Sequence, residues 1–143
     1  MLVVLDTNVI ISALYSKNGA SFQLLNGILS GSLPWAISPL LALEYEGKIH
    51  EKIAAGFLKV SEENCERILD ALFAMGRTIL RPVQIRPSLQ DLTDDKVFEC
   101  AVSGNCTHII TFNKKDFPPA VTQPYGIRVM TPGELLQIWR CKR

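Results

Sequence analysis

The chain has 143 residues, 48% hydrophobic and 20% charged, with a formal net charge of +1. That length and balance imply one globular domain over residues 1–143 and exclude a disordered segment. Near-neutral charge excludes a global pull toward nucleic acid, so any such binding must use a local basic patch.

Residues 1–5 are apolar and run straight into Asp6-Thr7-Asn8. An apolar run met by such a turn reads as a buried strand, here residues 2–5. Residues 8–15 follow as a helix that is apolar around most of its circumference, hence buried. Lys17-Asn18-Gly19-Ala20-Ser21 breaks it, and Ser21 is expected to cap a second helix reaching about Leu29. Gly31-Ser32-Leu33-Pro34 is a turn, and residues 35–37 a short strand. Ser38 is expected as N-cap and Pro39 as first residue of a third helix to about Ala55. Ser61-Glu62-Glu63 opens a fourth, with an apolar stripe of Ile68, Leu69, Leu72 and Phe73, ended by Gly76.

Residues 78–80 read as a strand, 83–85 as a short extended piece and 87–93 as a loop. Asp94-Asp95 opens a fifth helix carrying Val97, Phe98, Ala101 and Val102, stopped by Gly104-Asn105. Residues 108–111 are a short buried strand, 112–117 a loop or single helical turn closed by Pro118-Pro119, and 127–130 the last strand. Thr131 and Glu134 form a capping box ahead of a terminal helix over residues 135–140. Four or five strands alternating with six or seven helices predict an α/β fold with a mostly parallel sheet.

No stretch reaches the roughly 18 apolar residues of a membrane span, and the opening run is too short, with no basic start, for a secretory signal. A cytoplasmic protein without membrane association is expected, with Cys65, Cys100, Cys106 and Cys141 as reduced thiols. Cys100, Cys106 and His108 include no C-x-x-C pair, so buried inert thiols are expected rather than a zinc site.

In open α/β sheets chemistry sits beyond the carboxyl ends of the strands, which is where Asp6 falls. Glu44 lies mid-helix among Leu40, Leu41 and Leu43; Asp94 and Asp95 begin a helix; Asp116 follows the strand over residues 108–111, with Asn113 on the way. Each has a plainer role: Asp6 as a helix cap, Glu44 as a surface residue paired with Lys48, Asp94 or Asp95 as a cap, Asp116 as a turn residue. Together they point further. Two like charges 4 Å apart repel by about 4 kcal/mol at an effective dielectric near 20, so converging carboxylates retain a proton or take a divalent cation. Hard oxygen donors without His or Cys favour magnesium or manganese. His50 and His108 are read as structural.

The opening Val3-Val4-Leu5-Asp6-Thr7-Asn8-Val9-Ile10 resembles the start of PIN domains. Their next station, a Glu on a helix about forty residues on, is matched by Glu44; the third, an Asp opening a helix, by Asp95; the fourth is similar to Thr111-Phe112-Asn113-Lys114-Lys115-Asp116-Phe117. Residues 94–101 are similar to a toxin-like subgroup from bacterial toxin–antitoxin pairs, and VapC-type toxins share the fold. The resemblance implies a three-layer α/β/α sandwich with a four- or five-stranded sheet, and a Mg2+- or Mn2+-dependent endoribonuclease. It places catalysis and metal binding on Asp6, Glu44, Asp95 and Asp116, with Thr7, Asn8, Asp94, Glu99, Thr111 and Asn113 in support. Lys48, Lys52, Lys114 and Lys115 are expected to meet the RNA backbone. A homodimer and a small antitoxin partner are implied as well. One departure is Asn113, where several members of the subgroup carry an acid; the fourth carboxylate is then Asp116 or is missing, and Glu99, one turn after Asp95, is a further candidate to face the cluster. Two other readings compete: a non-catalytic PIN-fold module binding RNA or protein, and an aspartate-dependent phosphotransfer or receiver domain. The last wants a second Asp at position 8, where this chain has Asn8.

Overall fold

A computed structural model describes residues 1–85 and 92–142. The elements run β1 (Val3–Leu5), α1 (Thr7–Tyr15), α2 (Ala20–Leu29), β2 (Ala36–Ile37), α3 (Pro39–Ala54), α4 (Glu62–Met75) and β3 (Arg77–Thr78). Then come α5 (Leu92–Ser103), β4 (His108–Ile110), a 3-10 turn (Lys114–Asp116), α6 (Pro119–Thr122), a second 3-10 turn (Gln123–Tyr125), β5 (Arg128–Met130) and α7 (Pro132–Lys142).

Every strand pairing among the described residues is parallel. One sheet has the order β1-β4-β5, with Val3 opposite His108 and Leu5 opposite Ile110; the other pairs β2 with β3. A single parallel bridge, Val3 to Trp35, joins the two at the edge of β1. The combined order β3-β2-β1-β4-β5 therefore winds outward one way from β1 and then the other, and its direction reverses between β1 and β4. This is the α/β sheet expected from the alternation of strand and helix signals.

β1 sits at the centre of the core because all its residues are apolar. Val3, Val4 and Leu5 have no exposure, and Ile109 and Ile110 beside them have none either. α5 packs on β1, β2 and β4; α1, α2, α3 and α4 pack on one another, and α7 lies against α2 and β5. The indole of Trp35 donates to the carbonyl of Leu72 at 3.0 Å, so the end of α4 is tied to β2.

Local capping chemistry sets most helix starts. The hydroxyl of Ser38 accepts from the Leu41 amide with Pro39 at the first helical position, and that of Ser61 accepts from the Asn64 amide. The box on α7 closes both ways: Thr131 Oγ1 accepts from the Glu134 amide at 3.2 Å, and the Glu134 carboxylate from the Thr131 amide at 3.0 Å. That second bond, with Lys114 beside it, lowers the pKa of Glu134.

Some boundaries differ from expectation. α2 starts two residues early, with Gly19 rather than Ser21 as its N-cap, and Ser21 is buried inside the first turn with no hydrogen-bond partner for its hydroxyl among the described residues. The extended chain at Gly19 fixes the start without a side-chain cap. Residues 83–85 join no strand; they are held instead by side chains of α5, as described below. The third strand is Arg77–Thr78 rather than residues 78–80. α5 begins at Leu92, two residues before Asp94; the rest of the expected loop, residues 87–91, lies outside the described residues.

Candidate active site

Asp6 is the first residue past β1. Its amide donates to the Ile110 carbonyl of β4 at 2.9 Å, which continues the sheet by one step. Its carboxylate is 6% exposed and does two jobs. Oδ1 accepts from the Thr7 amide at 2.8 Å and so caps α1; Oδ2 accepts from the hydroxyl of Thr111 at 2.7 Å. Thr111 follows β4 directly, so this second bond crosses between β1 and β4, where the winding of the sheet reverses. Clefts at such reversals, outside the carboxyl ends of the strands, are where open α/β sheets bind ligands. Thr111 Oγ1 also accepts from the Asn113 amide at 3.0 Å, which sets the direction of the loop toward Asp116.

Two elements bring further acids to this end of the sheet. The Thr107 amide donates to the Leu2 carbonyl at 2.8 Å, so the chain leaving α5 is level with the start of β1. From Leu2 to Asp6 is four strand steps, roughly 13 Å at about 3.3 Å each. From Gly104 back to Asp95 is nine helical steps, roughly 13.5 Å at 1.5 Å each. α5, which packs on β1, thus runs back along it over a similar length, and Asp95 in its first turn is 1% exposed. α3 starts at Ser38, level with Asp6 because Trp35 stands opposite Val3.

α3 is tied to the site by Tyr45, whose hydroxyl donates to the Leu5 carbonyl at 2.5 Å. Burial, followed by the neighbouring Cys100, Asp6 and Cys106, pushes the phenol well above its usual pKa. The proton on which this tie depends is therefore firmly held. Glu44, the residue before Tyr45, meets α5 by an ion pair with Lys96 at 3.5 Å, their side chains 16% and 26% exposed. The expected partner Lys48 instead pairs with Glu51 at 3.6 Å.

Glu99 is buried and accepts from the Ile85 amide at 2.8 Å, while Ser103, one turn on, accepts from the Val83 amide at 2.8 Å. Glu99 thus holds residues 83–85 against α5, and with Lys96, Ser38, Leu40, Pro82 and Gln84 it lines a small cleft. Asp94 is half-buried beside Asp95. Asp116 is half-buried at the end of its 3-10 turn, where its amide donates to the Asn113 carbonyl at 3.0 Å; Asn113 is exposed. Lys114 pairs with Glu134 at 2.9 Å, Lys52 lies over the ring of Phe57 at 5.3 Å, and Lys48 and Lys115 are exposed. His50 faces Glu62 at 3.6 Å, and His108 Nδ1 lies 2.6 Å from the Thr107 hydroxyl.

Cys65, Cys100 and Cys106 are buried thiols. Burial, reinforced by Cys106 and opposed by a hydrogen bond from Ser38, pushes the Cys100 pKa up to about 12. Burial pushes Cys106 up to about 11 against the pull of Arg77.

The chain matches the family model of the PIN domain over residues 2–115. It belongs to the PIN domain family. No curated protein and no solved structure matches it significantly. PIN domains are typically nucleases that act on RNA or other nucleic acid and generally bind divalent metals, so membership supports a hydrolase acting on nucleic acid. Among the described residues no group of three His, Cys, Asp or Glu side chains is placed to hold one ion, and no helix is long and apolar enough to cross a membrane.

Sequence reasoning passed over two residues of this region, Lys96 and Tyr45. Lys96 carries a readable signal, a lone cation directly after Asp94-Asp95. Tyr45 carries none, since its tie to Leu5 spans forty positions.

Proposed function

We propose that this PIN domain is a Mg2+- or Mn2+-dependent endoribonuclease, hydrolysing RNA phosphodiester bonds as the toxin of a toxin–antitoxin pair. The observation that carries the nuclease reading is Asp6: a buried carboxylate at the reversal point of the sheet, held by the Thr7 amide and the Thr111 hydroxyl. The toxin role is supported by the likeness of residues 94–101 to that subgroup. A homodimer and a small antitoxin are the partners this role implies, in the cytoplasm.

The residues suit a hard cation. Besides the carboxylates, Thr7 Oγ1 and Asn8 Oδ1 are buried oxygens with no hydrogen-bond partner among the described residues, both in the first turn after Asp6. A buried acceptor left without a donor costs about 1–3 kcal/mol, so these oxygens suit a cation or its bound water. Magnesium is usually held by one or two carboxylates, with water and substrate phosphate filling its other positions. A three-acid cage is therefore not required.

Asp6 would hold the ion, with Glu44 and Asp95 turning to it when it binds, and Asp116 would hold a second one. When bound, it would lower the pKa of a water to give the attacking hydroxide and stabilise charge on the phosphate. Thr111 and the Thr7 amide fix the Asp6 carboxylate before any ligand arrives, so little reorganisation is needed at the moment of reaction. Asn8 and Asn113 would orient phosphate oxygens; Lys48, Lys52, Lys114 and Lys115 would meet the backbone of the RNA. Asp94 would add negative charge at the start of α5, and Glu99 would hold the segment that walls the cleft.

Purified protein with manganese is expected to cut single-stranded RNA, and Asp6→Asn to abolish cutting while the fold persists, because Asn still accepts from the Thr7 amide. If manganese produces no cleavage and leaves the melting curve unmoved, the nuclease reading fails. The second reading, a non-catalytic PIN module, is favoured by the cation on Glu44 and by Asn113; RNA retention without cleavage would establish it. Stabilisation by magnesium with beryllofluoride would instead support the receiver reading, against which Asn8 stands.

A further inference from the structure

The Lys96–Glu44 pair brings a lysine from α5 onto a carboxylate of α3, two elements that meet only in the folded chain. Both side chains are mostly out of water. A buried pair of this kind is seldom retained for stability alone, since desolvating two charges offsets most of their attraction. Lys96 directly follows the buried Asp95 in the chain, and its ammonium reaches the Glu44 carboxylate. The acidic end of the sheet therefore carries its own monovalent cation.

We propose that Lys96 is a positioning residue that competes with a divalent ion for Glu44, keeping the acidic site neutralised until the ion displaces it. This rests on the nuclease reading above, and the test separates the two. A divalent ion brings two charges where the ammonium brings one, so it wins at sufficient concentration, and Glu44 then turns from its ion pair to ligation. Lys96 thereby sets the metal concentration at which the site loads.

Manganese binding is measured by isothermal titration calorimetry on the full chain without RNA, for wild type, Lys96→Met, Lys96→Arg, Glu44→Gln and the double variant Glu44→Gln/Lys96→Met. Melting curves without metal confirm that each is folded, and Lys96→Gln replaces Lys96→Met if that variant is not. Lys96→Met is expected to bind manganese roughly tenfold more tightly, the effect of losing a competing pair worth about 1 kcal/mol or slightly more. Lys96→Arg, which keeps the charge, is expected to stay within about twofold of wild type, and in the Glu44→Gln background removing Lys96 is expected to gain less than about twofold. Equal tightening in both backgrounds would show a general charge effect and overturn the proposal, as would unchanged or weaker binding by Lys96→Met. Binding to Lys96→Met but not wild type supports it in its strongest form. If no variant binds manganese, the metal-dependent reading falls too; if wild type binds and cuts RNA while Lys96→Met binds equally, only this inference falls.

Discussion

α5 is buried on two sides, and the two differ in chemistry. Val97, Phe98, Cys100 and Ala101 are fully buried among apolar side chains. Asp95, Glu99 and Ser103, four residues apart, form a polar stripe on the same helix, with Asp95 and Glu99 buried almost as deeply. The apolar side needs only volume, which many side chains supply. The polar side needs particular partners: the Ile85 amide for Glu99 and the Val83 amide for Ser103. Buried carboxylates without such partners cost far more than they return. Asp95 is the deepest member of the stripe, 1% exposed.

That contrast can be broken from either side. Asp95→Asn is expected to lower RNA cleavage by roughly a thousandfold, about 4 kcal/mol of transition-state stabilisation, with an unchanged far-ultraviolet spectrum. Phe98→Ala, on the apolar side, is expected to cost about 3–5 kcal/mol in urea unfolding, with cleavage per folded molecule largely retained. Alkaline pH should act on the apolar side through its thiols. Cys100 and Cys106 have raised pKa values in the fold, about 12 and about 11 against an ordinary 9.0, so unfolding releases their protons above pH 9. The stability they contribute is whole below pH 9 and drains away as pH rises from 9 through 11 and 12, on the order of 2 kcal/mol for each thiol by pH 11; urea midpoints across that range check it, and Cys100→Ala should flatten the fall. The smallest effect is expected for Glu99→Ala, about 1 kcal/mol, seen best as faster proteolysis at residues 81–85 once the Ile85 amide loses its acceptor.

What could be read from sequence was local. The strand at Val3–Leu5 showed as an unbroken apolar run, and the starts of α3, α4 and α7 showed in Ser38-Pro39, Ser61-Glu62-Glu63 and Thr131 with Glu134, because capping chemistry is contained within four residues. Ser21 misled because a hydroxyl near a break resembles a cap, while the chain used the conformation of Gly19 instead. Residues 83–85 read as a short extended piece, and what the sequence did not show is that the Val83 and Ile85 amides go to side chains of α5. At the candidate site the order and spacing of the acidic stations carried the resemblance to PIN domains, and the burial of Asp6 and Asp95 came only with the fold. The partner of Glu44 was not legible: a local rule offered Lys48, and the fold supplied Lys96 from 52 positions away.

The hydrogen bond from Thr111 to Asp6 joins residues 105 positions apart. During synthesis, the first strand leaves the ribosome long before its neighbour β4 exists. Closing so long a loop is slow relative to forming helices nearby, and contacts of this range come late in folding. A nascent or truncated chain therefore carries Asp6 without the threonine that sets its orientation. Preorganisation at this end of the sheet appears only when most of the chain has been made, so a cell that produces this protein meets a prepared carboxylate only in the finished molecule.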